Sequence, residues 1–372
     1  MNRKYKILQL VESLDTIGGM ERIVAELANG LNRHEFEVEI WCIHKAGRFA
    51  HDLQKQGLTV REFKINNYYN PLNIAKLAAA LRKSQADVIH THMYFASTIG
   101  RIAGKIAGIK IIFTHVHSSY EHYNPRNLFI EKILSKMTHK VICISNNVRD
   151  FVINVEKVDP SRVVIVYNGI SLVKVSPRGE IREAFRVSEG DIIITMVANL
   201  FENKGHKVLL KALSLLVERY GDIKCWIIGQ GPLRQELEEY VQQLNLSQRI
   251  VFWGERYDVP QLLSASDLFI LSTIRREGLA ISLIEALAYK VPIIATKVGG
   301  IPEVITDKVN GLLIAPNEPF LLASAIEELL NNPDESYQYA QTGFKRFKNQ
   351  FESITMVRKI ESLYKEALKN HG

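Results

Sequence analysis

Short apolar, β-branched runs alternate with longer helix-periodic stretches along this chain, and the alternation runs through twice. In the first pass, strands are expected at 5–11, 36–42, 59–63, 87–90, 110–114, 140–144 and 163–166. Helical patterns lie between most of them, as at 71–82 and 96–107. In the second pass, strands are expected at 192–197, 224–228, 250–252, 268–271, 293–296 and 312–314. Helices fit at 204–220, 233–244, 281–289 and 320–330. Between the passes, at 169–180, Ser, Pro and Gly interrupt the pattern. Strand–helix alternation of this kind implies parallel sheets joined by right-handed crossovers. The 372 residues exceed the roughly 250–300 at which a single core stops growing, so two α/β domains are expected, 1–172 and 173–351. A last helix places Ile354, Val357, Ile360, Leu363 and Leu368 at helical spacing.

Several classes are disfavoured. No apolar stretch approaches the ~20 residues of a membrane helix. The basic start leads into a short run broken by Gln9 and closed by Glu12, which reads as a strand and not as a secretory leader. Cys42, Cys143 and Cys225 sit far apart in apolar runs, as reduced core residues of a cytoplasmic protein do. The net charge of +7 is uneven: residues 1–172 carry 23 Lys+Arg against 15 Asp+Glu, the remainder 24 against 25. A basic first half suits an anionic partner or simple solubility. Of the anionic partners, a phosphorylated substrate or an acidic membrane surface is expected here, and a nucleic acid is not.

Ligands of open parallel sheets bind beyond the carboxyl ends of the strands, so chemistry is sought in those loops. Arg275-Arg276-Glu277-Gly278-Leu279-Ala280 follows the strand at 268–271 and leads into a helix that is apolar almost all round. Glu285, inside that helix, is costly unless it bonds a partner; vicinal ribose hydroxyls would satisfy both its oxygens. Glu277 is expected at the helix's positive end. Lys204 is expected at the start of the helix after the strand at 192–197, a position that suits a bound anion. Gly18 and Gly19, after the first strand, allow close backbone approach to a phosphate or sugar. Gly229 opens Gly-Gln-Gly-Pro after the strand at 224–228, where Arg234 replaces the third glycine of a dinucleotide fingerprint. His90, His92, His115, His117 and His122 cluster after two strands. There is no Walker A motif, no Asp-x-Asp and no clear metal-ligand spacing.

Glu277 and Glu285, separated by seven residues, with Gly299-Gly300-Ile301-Pro302-Glu303-Val304 and Asn310-Gly311-Leu312-Leu313 behind them, resemble the retaining GT-B glycosyltransferases of the family 4 type. That group includes bacterial enzymes of glycolipid, lipopolysaccharide and surface-polysaccharide synthesis. The likeness spans nearly the whole chain and is most specific over 190–316. It implies two Rossmann-like domains facing a central cleft, an acceptor-binding first domain and a donor-binding second domain. It also implies a C-terminal helix, 352–372, that packs back on the first domain. It implies transfer from a nucleotide-sugar, UDP by family weight, to a lipid-linked or saccharide acceptor. No metal or other cofactor is implied, and the setting would be cytoplasmic or peripheral at the inner face of a membrane.

By the resemblance, Glu277 contacts the donor sugar and Glu285 the donor ribose. Gly18, Gly19, Gly229, Arg276, Gly278 and Leu279 line the donor, and Lys204 holds the diphosphate. The family's usual arginine beside that lysine is Asn199 here, and Arg275 or Arg276 is a candidate substitute. The family's essential histidine falls on His117, with His115 as runner-up. On the acceptor side, His92, Lys132 and Lys136 are candidates, the two lysines on one face of a helix at 127–137. Two alternatives stay open: a nucleotide-sugar epimerase of similar architecture, and an inactive sugar-nucleotide-binding subunit.

Overall fold

The structure, a computed structural model, describes residues 3–15, 18–118 and 124–371. It divides into two compact units, Met1–Ser171 with Ser353–Gly372, and Leu172–Glu352. No helix among the described residues is long and apolar enough to cross a membrane.

The first unit holds β1 (Tyr5–Ser13), β2 (Phe36–Lys45), β3 (Thr59–Glu62), β4 (Val88–His92), β5 (Ile111–Val116), β6 (Lys140–Cys143) and β7 (Val163–Ile165). They pair in the order β3-β2-β1-β4-β5-β6-β7, and every ladder is parallel. The order reverses between β1 and β4, which makes their carboxyl ends the switch point where doubly wound sheets take ligands. One face of the sheet buries Leu8, Leu10, Ile43 and Ile89 against the helices Pro71–Ser84 and Tyr94–Ala107. The C-terminal helix Ser353–His371 belongs to this unit and buries Met356, Val357, Ile360 and Tyr364. It meets the helix Gly19–Gly30 closely: a Cβ on Gly30 would stand 2.7 Å from a Val357 methyl.

The second unit holds β8 (Ile192–Val197), β9 (Ile223–Ile228), β10 (Ile250–Gly254), β11 (Leu268–Leu271), β12 (Ile293–Thr296) and β13 (Leu312–Ile314). Their order is β10-β9-β8-β11-β12-β13, again all parallel. The switch point lies between β8 and β11. Both units are thus Rossmann-like, and strands buried on both faces explain why their sequences read as continuous apolar runs.

Three sequence expectations need correction. β4 runs on to His92 and β5 to Val116, past the expected ends at 90 and 114, so His92 and His115 are strand residues and not loop residues. The expected helix at 204–220 is a 3-10 turn, Glu202–Lys204, followed by a helix confined to His206–Ser214. Gly205 breaks the two apart with φ +71°, in the left-handed region that suits glycine. A helix at Pro333–Arg346 was not anticipated, although Pro333 at its start, Asp334 and Glu335 in its first turn and Lys345 and Arg346 in its last are ordinary helix-end signals.

Candidate active site

In the second unit the chemistry gathers at the carboxyl ends of β8, β9 and β11. Lys204 Nζ donates to Glu277 Oε2 at 2.6 Å, and Thr273 Oγ1 reaches the same oxygen at 3.4 Å. The pair is mostly shielded, the side chains 22% and 11% exposed, so its attraction is less screened than that of a surface pair. The lysine lies not on the first turn of a helix but at the end of the 3-10 turn. Glu277 precedes the helix Ile281–Ala288 by four residues.

Glycines hold this arrangement in place. Gly299 has φ +55°, and a Cβ there would stand 2.0 Å from the Glu277 carbonyl oxygen. Gly300 N donates to that same carbonyl at 2.9 Å. The Gly299-Gly300 turn therefore clamps the backbone that carries Glu277. Gly205 and Gly229 make equally close approaches, their absent Cβ atoms 2.0 Å from Ser272 O and 2.2 Å from Ala198 O. Asn310 is structural: buried, it accepts from Thr306 N at 2.6 Å and donates to Val304 O at 3.0 Å.

Glu285 is 2% exposed inside its apolar helix. Gly278 and Leu279 are buried beside Glu277, whereas Arg275, Arg276 and Asn199 are exposed. Arg275 pairs with Glu202 at 2.9 Å, so the site has an arginine near Lys204, though one already engaged by a carboxylate. Arg276 adopts φ +54°, uncommon for a non-glycine residue.

In the first unit, Gly18 and Gly19 stand at the start of the helix Gly19–Gly30. Four histidines line up in the core: His90 and His92 on β4, His115 on β5 and His117 one residue beyond it. Neighbouring rings lie 4.3 Å (His115–His117), 4.5 Å (His90–His92) and 5.3 Å (His92–His117) apart, nearly parallel. His122 lies outside the described residues. Burial holds His90, His92 and His115 well below the usual imidazole range, and it lowers His117 to about 3.

The structure separates the candidates. His115 is fully buried within its strand, so it is not placed to touch a substrate. His92, also fully buried, bonds His117 Nε2 at 3.0 Å and Gln9 Oε1 at 2.6 Å. That makes it a partner of His117 and not an acceptor contact. His117 is 9% exposed and at the strand's carboxyl end. Ring nitrogens of His90, His92 and His115 come within 4.8 Å of one another. The His90 and His92 rings stand 25° from parallel and the His92 and His115 rings 36°, and His92 would have to leave Gln9 or His117 to bind an ion.

Lys132 and Lys136 are exposed on and just past the helix Pro125–Ser135. Leu134 is core, but Phe129 and Ile133 are 64% and 45% exposed between the basic residues. Sequence reasoning gave Gln9 and Tyr364 no part in the site. Their signal was a polar residue inside an apolar strand and a tyrosine on the apolar face of the last helix.

The profile described as Glycosyltransferase Family 4 matches residues 17–174, and that described as Glycosyl transferases group 1 matches residues 177–346. The chain belongs to the GT-B glycosyltransferases of family 4. Its relatives include the UDP-Gal:alpha-D-GlcNAc-diphosphoundecaprenol alpha-1,3-galactosyltransferase of Escherichia coli, 25% identical over 97% of each chain. Another is the N-acetyl-alpha-D-glucosaminyl L-malate synthase of Bacillus anthracis, 25% identical over 95% of this chain and 96% of that one. The crystal structure of a glycosyltransferase from Rickettsia africae superposes with a TM-score of 0.86 at 27% identity, covering 99% of this chain and all of the other. The two family profiles divide the glycosyltransferase close to where its two units meet in sequence, between Ser171 and Leu172.

Proposed function

We propose that this glycosyltransferase moves a sugar from a UDP-sugar to the hydroxyl of a lipid-diphosphate-linked saccharide, with retention and without a metal. The observation that carries the reading is the shielded Lys204–Glu277 pair at the carboxyl end of β8, four residues before the helix that buries Glu285. A cation for the diphosphate, a carboxylate for the sugar and a carboxylate for the ribose are thus carried after the neighbouring strands β8 and β11, the first two in direct contact. The donor nucleotide and the lipid-diphosphate acceptor are taken from the Escherichia coli relative. The Bacillus anthracis relative, by name an N-acetyl-alpha-D-glucosaminyl L-malate synthase, points to a different acceptor.

In this reading the bond from the anomeric carbon to the diphosphate oxygen breaks while Lys204 and backbone amides neutralise the leaving charge. The acceptor oxygen bonds the same carbon on the same face, and its proton passes to the departing phosphate oxygen. Glu277 and His117 hold the sugar. Lys132, Lys136, Phe129 and Ile133 form a basic and apolar helix face suited to an anionic membrane surface, where such an acceptor resides. The deciding experiment supplies UDP-galactose, UDP-glucose and UDP-N-acetylglucosamine in turn with a lipid-diphosphate-linked N-acetylglucosamine, and reads the product's anomeric configuration by NMR. An α-linked product supports the reading; a β-linked product refutes retention. Donor epimerised without acceptor would refute transfer.

A further inference from the structure

The hydrogen bonds behind His117 run in one direction. Gln9 Nε2 donates to the Tyr364 hydroxyl oxygen at 3.2 Å. Burial pushes the Tyr364 hydroxyl up, so it keeps its proton. Having accepted from Gln9, it donates that proton to His90 Nδ1 at 2.5 Å. The other end of the same amide, Gln9 Oε1, can only accept, and it faces His92 Nε2 at 2.6 Å. The His92 proton is therefore on Nε2. Because burial keeps the ring neutral, Nδ1 of His92 is a bare lone pair. His117 Nε2 stands 3.0 Å from it and must carry the hydrogen. One proton is all that a neutral His117 has, so its Nδ1 is left as an acceptor, buried and without a partner among the described residues.

We propose that Gln9 and Tyr364 are positioning residues that fix His117 as the Nε2–H tautomer, so that its Nδ1 accepts a hydrogen bond from a hydroxyl of the donor sugar. The last clause rests on the reading of His117 as a sugar contact; the fixed tautomer does not. Without an anchor the Gln9 amide could turn over, every bond in the chain would reverse, and His117 would present N–H in place of a lone pair. In the structure Tyr364, on the C-terminal helix and 355 residues away from Gln9 in sequence, holds the amide with Nε2 toward its own hydroxyl and Oε1 toward His92.

The test is long-range proton–nitrogen NMR of protein labelled with 15N in histidine, with His117→Gln used to assign the signal. Wild type should show His117 protonated at Nε2 alone. Gln9→Leu and Tyr364→Phe should convert it to a tautomer mixture, and Gln9→Glu, whose carboxylate still only accepts, should restore the single form. Thermal melts identify any variant that fails to fold, and either of the first two variants suffices. The kcat/KM for donor should fall roughly three- to tenfold in those two variants, the worth of about one hydrogen bond, with UDP affinity unchanged. A wild-type His117 protonated at Nδ1, or a tautomer indifferent to both variants, would overturn the proposal. A tautomer that shifts as described while kcat/KM stays level would uphold the relay and sink the sugar-contact reading.

Discussion

Lys204 donates its ammonium hydrogen to Glu277 across 2.6 Å, so the cation assigned to the diphosphate is held, in this structure, by the carboxylate assigned to the sugar. Donor binding has to draw the lysine toward phosphate and leave Glu277 to the sugar hydroxyls. Glu277→Ala should therefore lower kcat by on the order of 10²–10³ while UDP binds as well as before or more tightly, since Lys204 loses its competitor. Lys204→Ala and Glu285→Ala should weaken UDP. Calorimetric titration of UDP into the three variants checks this. Loss of UDP binding in Glu277→Ala alone would reverse the two assignments.

Gly299 should tolerate no side chain. An alanine there combines a left-handed backbone with a Cβ 2.0 Å from the Glu277 carbonyl oxygen. The conformation alone costs about 1–2 kcal/mol, or roughly 2–8 °C of melting temperature for a unit of this size. Activity should fall further than stability suggests, because the segment that must give way carries Glu277. Gly190→Ala, with open space around it and an ordinary φ, is the control and should melt with the wild type.

The histidine stack predicts a pH dependence of stability. Each of His90, His92, His115 and His117 has a folded-state pKa below its unfolded value of about 6.5. The unfolded chain therefore binds more protons below pH 6.5. Stability is complete above that value and is lost as pH falls toward about 3, the value for His117. Each imidazole can contribute up to about 1.4 kcal/mol per pH unit within that window. The residues that face the stack include Gln9, Tyr364 and Phe113, none of which supplies a compensating charge. Urea unfolding at pH 7.5, 6.5 and 5.5 measures the slope, and His115→Leu should flatten it. A slope unchanged by that substitution would show that the stack is not its source.

Transfer should survive excess EDTA. In the proposed reading Lys204 and the amides around it neutralise the leaving diphosphate, so Mg²⁺ or Mn²⁺ added after chelation should change the rate little. Loss of activity with EDTA and its return with metal would contradict the metal-free reading.

Sedimentation with liposomes tests the first unit's basic helix. Binding should be stronger to anionic than to neutral vesicles and should weaken with salt, as the screening length shrinks from ~10 Å at 0.1 M to ~3 Å at 1 M. Lys132→Glu with Lys136→Glu should abolish the preference, while Ile133→Ser should weaken binding at every salt concentration. Equal binding to both vesicle types would return this face to ordinary solubility.

The two sheets were legible because their strands are buried on both faces, and an apolar run bounded by Gly, Pro or Asn carries that information locally. The ends of β4 and β5 were not. A reading by residue type stops at the first polar side chain, but His92 and His115 stay in register, Cα partners of one another, because Gln9 and the last helix seal them from water. That cover comes from residues 83 or more positions distant from His92, outside any local window. The Glu277–Glu285 spacing was visible in sequence, and so was the substitution at Asn199. Which group neutralises Lys204 was not, since Glu277 is 73 residues away from it.

The C-terminal helix gives the first unit an awkward order of synthesis. Ser171 and Ser353, hydroxyls 2.9 Å apart in the finished protein, are separated by 182 residues. At about 5–20 residues per second, a ribosome takes roughly 10–35 s to cross that interval. Throughout it, Gln9, Phe113 and the histidine stack lack the helix that seals them, while the second unit emerges with all six of its strands and can close on its own. The first unit to be made is thus the last to be completed, and its unsealed face is the surface a chaperone would have most reason to hold.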